Sequence, residues 1–127
     1  MSSILVPADS WITGLFASID RKDTDGFASF LTEDALFRFG NQPTVHGRDA
    51  IGAAVDGFFS SIAGLAHRIE RIWEHSDSVV CHGEVSYERL DGSSTTLPFA
   101  DVFIMRDDLV REYLIYMDVT PLFADVG

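Results

Sequence analysis

A lone cysteine, Cys81, in a chain of 127 residues leaves no partner for an internal disulfide, so packing alone must hold the fold. No apolar run approaches the roughly 20 residues of a bilayer-spanning helix. The start of the chain, Met1–Val6, has no basic flank, and its apolar stretch is too short for a secretion signal. Together these absences lead us to expect a soluble domain in a reducing cytoplasm. Basic residues are scarce, nine Lys and Arg against twenty Asp and Glu, for a formal charge of -11. Such a surface repels phosphate backbones and anionic lipid, which excludes nucleic acid and membrane as expected partners. Equally missing are a Gly-rich phosphate loop, a serine in a nucleophile-elbow context, and any group of His, Cys or carboxylates at metal-ligand spacing. No metal or other cofactor is expected.

What is present divides into a helical first half and a strand-rich second half, with no linker, repeat or low-complexity tract between them. That order, in a chain of ordinary single-domain length, reads as one α+β domain over 1–127. Asp9 or Ser10 can cap a helix after Pro7 in which Ile12, Leu15, Phe16 and Ile19 form one apolar stripe. Thr24 can cap a short second helix, with Phe27, Phe30 and Leu31 on one face, and Ala35–Phe39 reads as a strand. Turn chemistry at Gly40-Asn41-Gln42-Pro43 leads to a third helix whose Ile51, Val55, Phe58, Phe59 and Ile62 recur at helical spacing. Four strands follow, about His67–His75, Val79–Leu90, Thr95–Arg106 and Val110–Val119. The tight turns between them call for antiparallel neighbours. The expected architecture is three N-terminal helices packed on a strongly bent, mainly antiparallel sheet that encloses a pocket.

Residues two apart on a strand share a face, so parity maps a site onto these strands. One face of the third long strand carries Leu97, Phe99, Asp101, Phe103 and Met105, a single carboxylate among apolar neighbours. A carboxyl group so placed loses hydration, and either takes up a proton or receives donors from the fold. The first long strand groups His67, Ile69, Arg71 and Trp73. The second sets Cys81, Gly83, Val85 and Tyr87 against His82, Glu84, Ser86 and Glu88, and the latter set is polar enough to face outward. In the last strand Leu114, Tyr116 and Asp118 oppose Tyr113, Ile115 and Met117, which lets Asp118 join the cavity of Asp101. Asp118 can instead cap the turn before Thr120-Pro121. Tyr87 and Tyr116 either orient a ligand through their hydroxyls or belong to the core. The remaining walls are expected from Trp11, Leu15, Phe39, Phe58, Trp73, Phe99 and Phe103.

The stretch Phe39-Gly40-Asn41-Gln42-Pro43-Thr44-Val45-His46-Gly47-Arg48-Asp49-Ala50-Ile51, with Pro98-Phe99-Ala100-Asp101-Val102-Phe103 and Tyr116-Met117-Asp118, resembles the SnoaL-like, ketosteroid-isomerase-like branch of the NTF2-like superfamily. The resemblance runs over nearly the whole chain. It implies a cone-shaped α+β barrel around a pocket, often in a homodimer built from the outer sheet face. The fold hosts isomerases, dehydratases, epoxide hydrolases, cyclases and non-catalytic binders, so function has to come from the site. Asp101 is similar in position to the protonated carboxylic acid that ketosteroid isomerases aim at a developing oxyanion. The isomerase base would fall near Arg38 or Phe39 and its tyrosine near Leu15 or Phe16, where neither group occurs. His67 resembles the first-strand histidine of scytalone-dehydratase-like members, and Asp101 would take the place of their second histidine, giving a His67–Asp101 dyad. Asp118 resembles the terminal-strand aspartate of limonene-epoxide-hydrolase-like members. Arg71, Arg89 and Arg106 lie at or near strand ends and do not complete that triad.

These readings lead to cofactor-independent lyase or isomerase chemistry on a small, largely apolar molecule bearing a carbonyl or hydroxyl group. His67, Asp101 and Asp118 are the acid/base candidates. The alternatives are a binding domain without turnover, water activation by paired carboxylates, and a domain whose output is dimerisation.

Overall fold

The computed structural model describes residues 5–123. Helix α1 spans Leu5–Asp20 and buries the expected stripe of Ile12, Leu15, Phe16 and Ile19. It starts before the expected caps Asp9 and Ser10. Pro7 is tolerated there because first-turn N–H groups have no intrahelical acceptor to lose. Helix α2, Thr24–Ala28, is capped by Asp23 rather than Thr24, its side chain accepting from the Gly26 N–H at 3.0 Å. Helix α3, Arg48–Ser60, buries Ile51, Val55 and Phe59. Lys22 secures its end by donating to the carbonyls of Phe59 and Ile62 at 3.1 and 3.0 Å.

The strands are β1 (Leu31–Phe39), β2 (Val45–His46), β3 (Ile62–His75), β4 (Ser78–Arg89), β5 (Ser94–Arg106) and β6 (Leu109–Tyr116), followed by a short α4 (Thr120–Phe123). They form one six-stranded sheet in the order β2-β1-β6-β5-β4-β3. The β3–β4–β5–β6 meander is antiparallel throughout, as its tight turns require, whereas β1 joins β6 in parallel and makes the sheet mixed. The observed fold is α+β, with β1 and β2 inserted between α2 and α3. Among the described residues no helix is long and apolar enough to cross a membrane.

Two register shifts decide which side chains face the helices. In β3, a bulge between Ile69 and Arg71 puts His67 opposite inward Val85 and Ile72 opposite Cys81, but Trp73 opposite outward Val80. The expected common face of His67, Ile69, Arg71 and Trp73 is therefore split. In the β5–β6 pair the register slips between Ile104 and Met105, so that Phe103 pairs with Tyr113 and Asp101 with Ile115. Tyr113 and Ile115 then face the core, while Leu114 and Tyr116 lie on the other face, the reverse of the parity expectation. One extra residue inverts everything beyond it.

Gly83 shows how closely β3 and β4 approach. A Cβ on this residue would lie 1.9 Å from the Arg68 carbonyl oxygen, so only glycine fits.

Candidate active site

A cavity of about 490 Å³ opens between the inner sheet face and the helices. Its apolar wall comes from Ile19 of α1, Phe27 of α2, Phe37 and Phe39 of β1, Val55, Phe58 and Phe59 of α3, Leu65 of β3 and Ile115 of β6. Phe58 is the hinge of the aromatic wall, 5.2 Å from the Phe39 ring and 5.9 Å, edge-on, from Tyr87. The polar side chains on the wall are His67, Tyr87, Tyr113, Gln42 and Ser61. Among the described residues no Lys or Arg lines it, so an apolar, uncharged guest suits the space.

His67 is held from outside the cavity. Its Nδ1 lies 2.6 Å from Asp20 Oδ1, and its backbone N–H donates to Asp20 Oδ2 at 3.0 Å. A carboxylate only accepts, so Nδ1 carries a proton and aims it at Asp20. The ring is also clamped by Phe16 at 4.6 Å and, edge-on, by Phe99 at 5.4 Å. His67 and Asp20 both border a second, shallower groove beside α1, which gives the pair a solvent side as well as a cavity side.

Asp101 is 1 % exposed and lies off the cavity wall. Its Oδ2 is 3.3 Å from the Tyr113 hydroxyl, and among the described residues its Oδ1 has no partner. Burial drives the Asp101 carboxyl well above the usual carboxylate range, only partly offset by the Tyr113 contact. Tyr113 is likewise pushed well above its ordinary value, first by burial and then by Asp101. Burial also raises Tyr87 and the Cys81 thiol.

A SnoaL-like domain profile matches residues 12–113, the stretch that builds nearly all of this cavity. The chain belongs to the SnoaL-like family. No curated protein matches the sequence. Among solved structures, this SnoaL-like chain is similar to TerC co-crystallised with polyporic acid (21 % identity, 91 % of this chain and 95 % of that one, TM-score 0.80). It is also similar to a Catenulispora acidiphila protein of ketosteroid isomerase-like fold in complex with trimethylamine (14 %, 89 % and 88 %, 0.82). A third is an LEH-like epoxide hydrolase of M. tuberculosis (15 %, 92 % and 86 %, 0.78). At these identities the likeness establishes the NTF2-like fold.

Of the side chains expected at the site, this SnoaL-like domain brings His67, Phe39, Phe58 and Tyr87 to one cavity. The expected His67–Asp101 dyad is replaced by two separate pairs, His67 with Asp20 and Asp101 with Tyr113. Asp118 is exposed and accepts from the Thr120 N–H at 3.0 Å, so it caps the turn instead of joining the cavity. Leu15, Phe99 and Phe103 are core, and Trp11 packs edge-on against Phe103 at 5.0 Å. The two register shifts carry Trp73 (47 % exposed) and Tyr116 (48 %) to the outer face. There Trp73 stacks on His82 and Tyr116 lies under the Arg38 guanidinium.

Sequence reasoning missed Asp20 and Tyr113. Asp20 directly follows the last residue of the α1 stripe, which is the available hint that it sits where the helix meets the sheet. Tyr113 carried no such signal, since each face of β6 mixes apolar residues with one charge, Arg111 or Glu112, and the register shift decides which face turns inward. Among the described residues no group of three or more His, Cys, Asp or Glu could hold a metal ion.

Proposed function

We propose that the cavity hosts cofactor-independent acid/base chemistry, of the lyase or isomerase kind, on a small and largely apolar molecule carrying a carbonyl or hydroxyl group. The observation that carries this reading is His67, set in an apolar wall with Nδ1 fixed by Asp20 and Nε2 left to exchange a proton. An aromatic enclosure favours a neutral guest over an ion, and the groove side of Asp20 offers a route for protons to re-equilibrate with solvent. Similarity in fold to TerC with polyporic acid is consistent with an organic guest. Water activation by paired carboxylates has less support, because Asp118 is exposed and Asp101 lies behind Tyr113.

The test is hydrogen–deuterium exchange at the carbon beside a ketone, followed by NMR in deuterated buffer over a panel of small cyclic ketones. Catalysed exchange that His67→Ala lowers by about 10²- to 10⁴-fold, the range of a positioned acid/base group, supports the proposal. Ketones that bind without exchange, or exchange indifferent to His67, would leave a binding domain.

The same reading has the chain work as a homodimer joined through the outer sheet face. There Arg38, Leu114, Val102, Val80 and Trp73 run side by side across five strands. Sedimentation that gives a monomer at micromolar concentration would remove this part.

A further inference from the structure

We infer that α4 is the gate of the cavity: Arg89 latches its last carbonyls and so holds Phe123 across the mouth, and a guest enters and leaves when that latch opens. The inference rests on the cavity reading above and adds how the cavity is reached.

Exposure along the lining locates the mouth. Phe27, Val55, Phe59, Tyr87 and Tyr113 are buried and form the floor and sides. The exposed lining residues are Gln42 and Pro43 in the β1–β2 turn, Ala54 on α3, Ser61 directly after it, and Phe123 at the end of α4. These make the rim. Phe123 is its large apolar member, 55 % exposed while still lining the cavity, so the ring stands between the interior and solvent.

At four residues, α4 is too short to hold its shape alone, and its place is set by tertiary contacts. Val119 and Leu122 tie it down by burial. The carbonyls of Pro121 and Leu122 lie in its last turn, where helical carbonyls lack intrahelical donors. Arg89 supplies both, Nη2 donating to Pro121 at 2.7 Å and Nε to Leu122 at 3.4 Å. Its Nη1 donates to Ser93 Oγ at 3.1 Å, which fixes the guanidinium on the β4–β5 hairpin.

The two sides of this latch differ in stiffness. Arg89 pairs with Ile62 of β3, and its backbone N–H donates to the Ser93 carbonyl at 2.7 Å, so the sheet side is built into the ladder and the turn. On the other side two carbonyls of a single turn are held, and that turn carries Phe123. When the latch breaks, α4 is the part that moves. Arg89 does not line the cavity, which makes it a positioning residue for Phe123.

The test uses N-phenyl-1-naphthylamine, a neutral fluorophore that brightens in apolar surroundings, mixed with the full chain in stopped flow. Arg89→Met keeps the reach of the side chain and removes its donors. It should speed both association and dissociation about tenfold, the worth of a hydrogen bond from a charged donor, and leave Kd within about threefold. Phe123→Ala should do the same, and because that side chain is largely in solvent it decides the matter if Arg89→Met does not fold. The double variant should be no faster than either single one, since both act on one gate. Unchanged rates in the variants would overturn the gate and leave the cavity reading standing. Faster dissociation with unchanged association would make Phe123 a fixed wall and also overturn it. Failure of the fluorophore to bind the wild-type chain would overturn the cavity reading and the gate with it. Gated binding with no catalysed deuterium exchange would uphold the gate and sink the catalytic proposal.

Discussion

Nδ1 of His67 and Oδ1 of Asp20 meet at 2.6 Å across 47 residues of sequence, joining the end of α1 to β3. The contact orients the imidazole on the cavity wall. Asp20 also holds the His67 backbone N–H, so a single carboxylate sets both the ring and the strand beneath it.

Removing that carboxylate's charge should therefore loosen the ring more than the fold. In the wild type, nitrogen-15 shifts should report a His67 tautomer protonated at Nδ1. Asp20→Asn should yield a mixture of tautomers and slow any His67-dependent exchange by about a hundredfold, the low end for a positioned acid/base group. An unchanged tautomer would mean that Phe16 and Phe99 alone set the ring.

Asp101 sets a pH dependence with a definite sign. Its folded pKa is raised, so above the unfolded value of about 3.9 the folded state retains a proton the unfolded state has lost, and stability falls as pH rises through that window. Asp101→Asn removes this penalty. The melting temperature of the variant minus that of the wild type should grow more positive as the pH rises above about 4. A constant difference would show that Asp101 is ionised in the folded chain.

Asp34 should behave in the opposite way. Two hydrogen bonds from Arg106, at 2.6 and 3.1 Å, hold its carboxyl down at about 2. With the folded pKa below the unfolded one, its contribution is present above about pH 4 and disappears as pH falls towards 2. Arg106→Gln should return the Asp34 titration, followed by carbon-13 NMR, towards the ordinary aspartate value. A midpoint that stays near 2 would place the cause in Thr32, the other side chain hydrogen-bonded to it.

Gly83→Ala should be the harshest small substitution in the sheet. Its methyl group would lie 1.9 Å from a backbone oxygen, so β3 and β4 would have to separate next to the bulge that follows His67. A loss of about 3 kcal/mol or more in chemical denaturation is expected, in the range seen for severe overpacking. A loss below about 1 kcal/mol would show that the bulge relaxes freely.

Amphipathic spacing by itself determined α1 and α3, because an apolar stripe such as Ile12, Leu15, Phe16 and Ile19 has one way to be buried. The tight turns determined the antiparallel meander, and a carboxylate set among Phe99 and Phe103 announced the buried acid at Asp101. Sequence also placed His67, Phe39, Phe58 and Tyr87 on the cavity wall. Tertiary structure decided the rest. The partners of the two polar groups, Asp20 for His67 and Tyr113 for Asp101, come from elements whose meeting no local pattern encodes. The places of Trp73, Tyr116 and Asp118 follow from bulges in β3 and between β5 and β6. Strand parity is a rule of period two, and a single inserted residue reverses it for every position that follows.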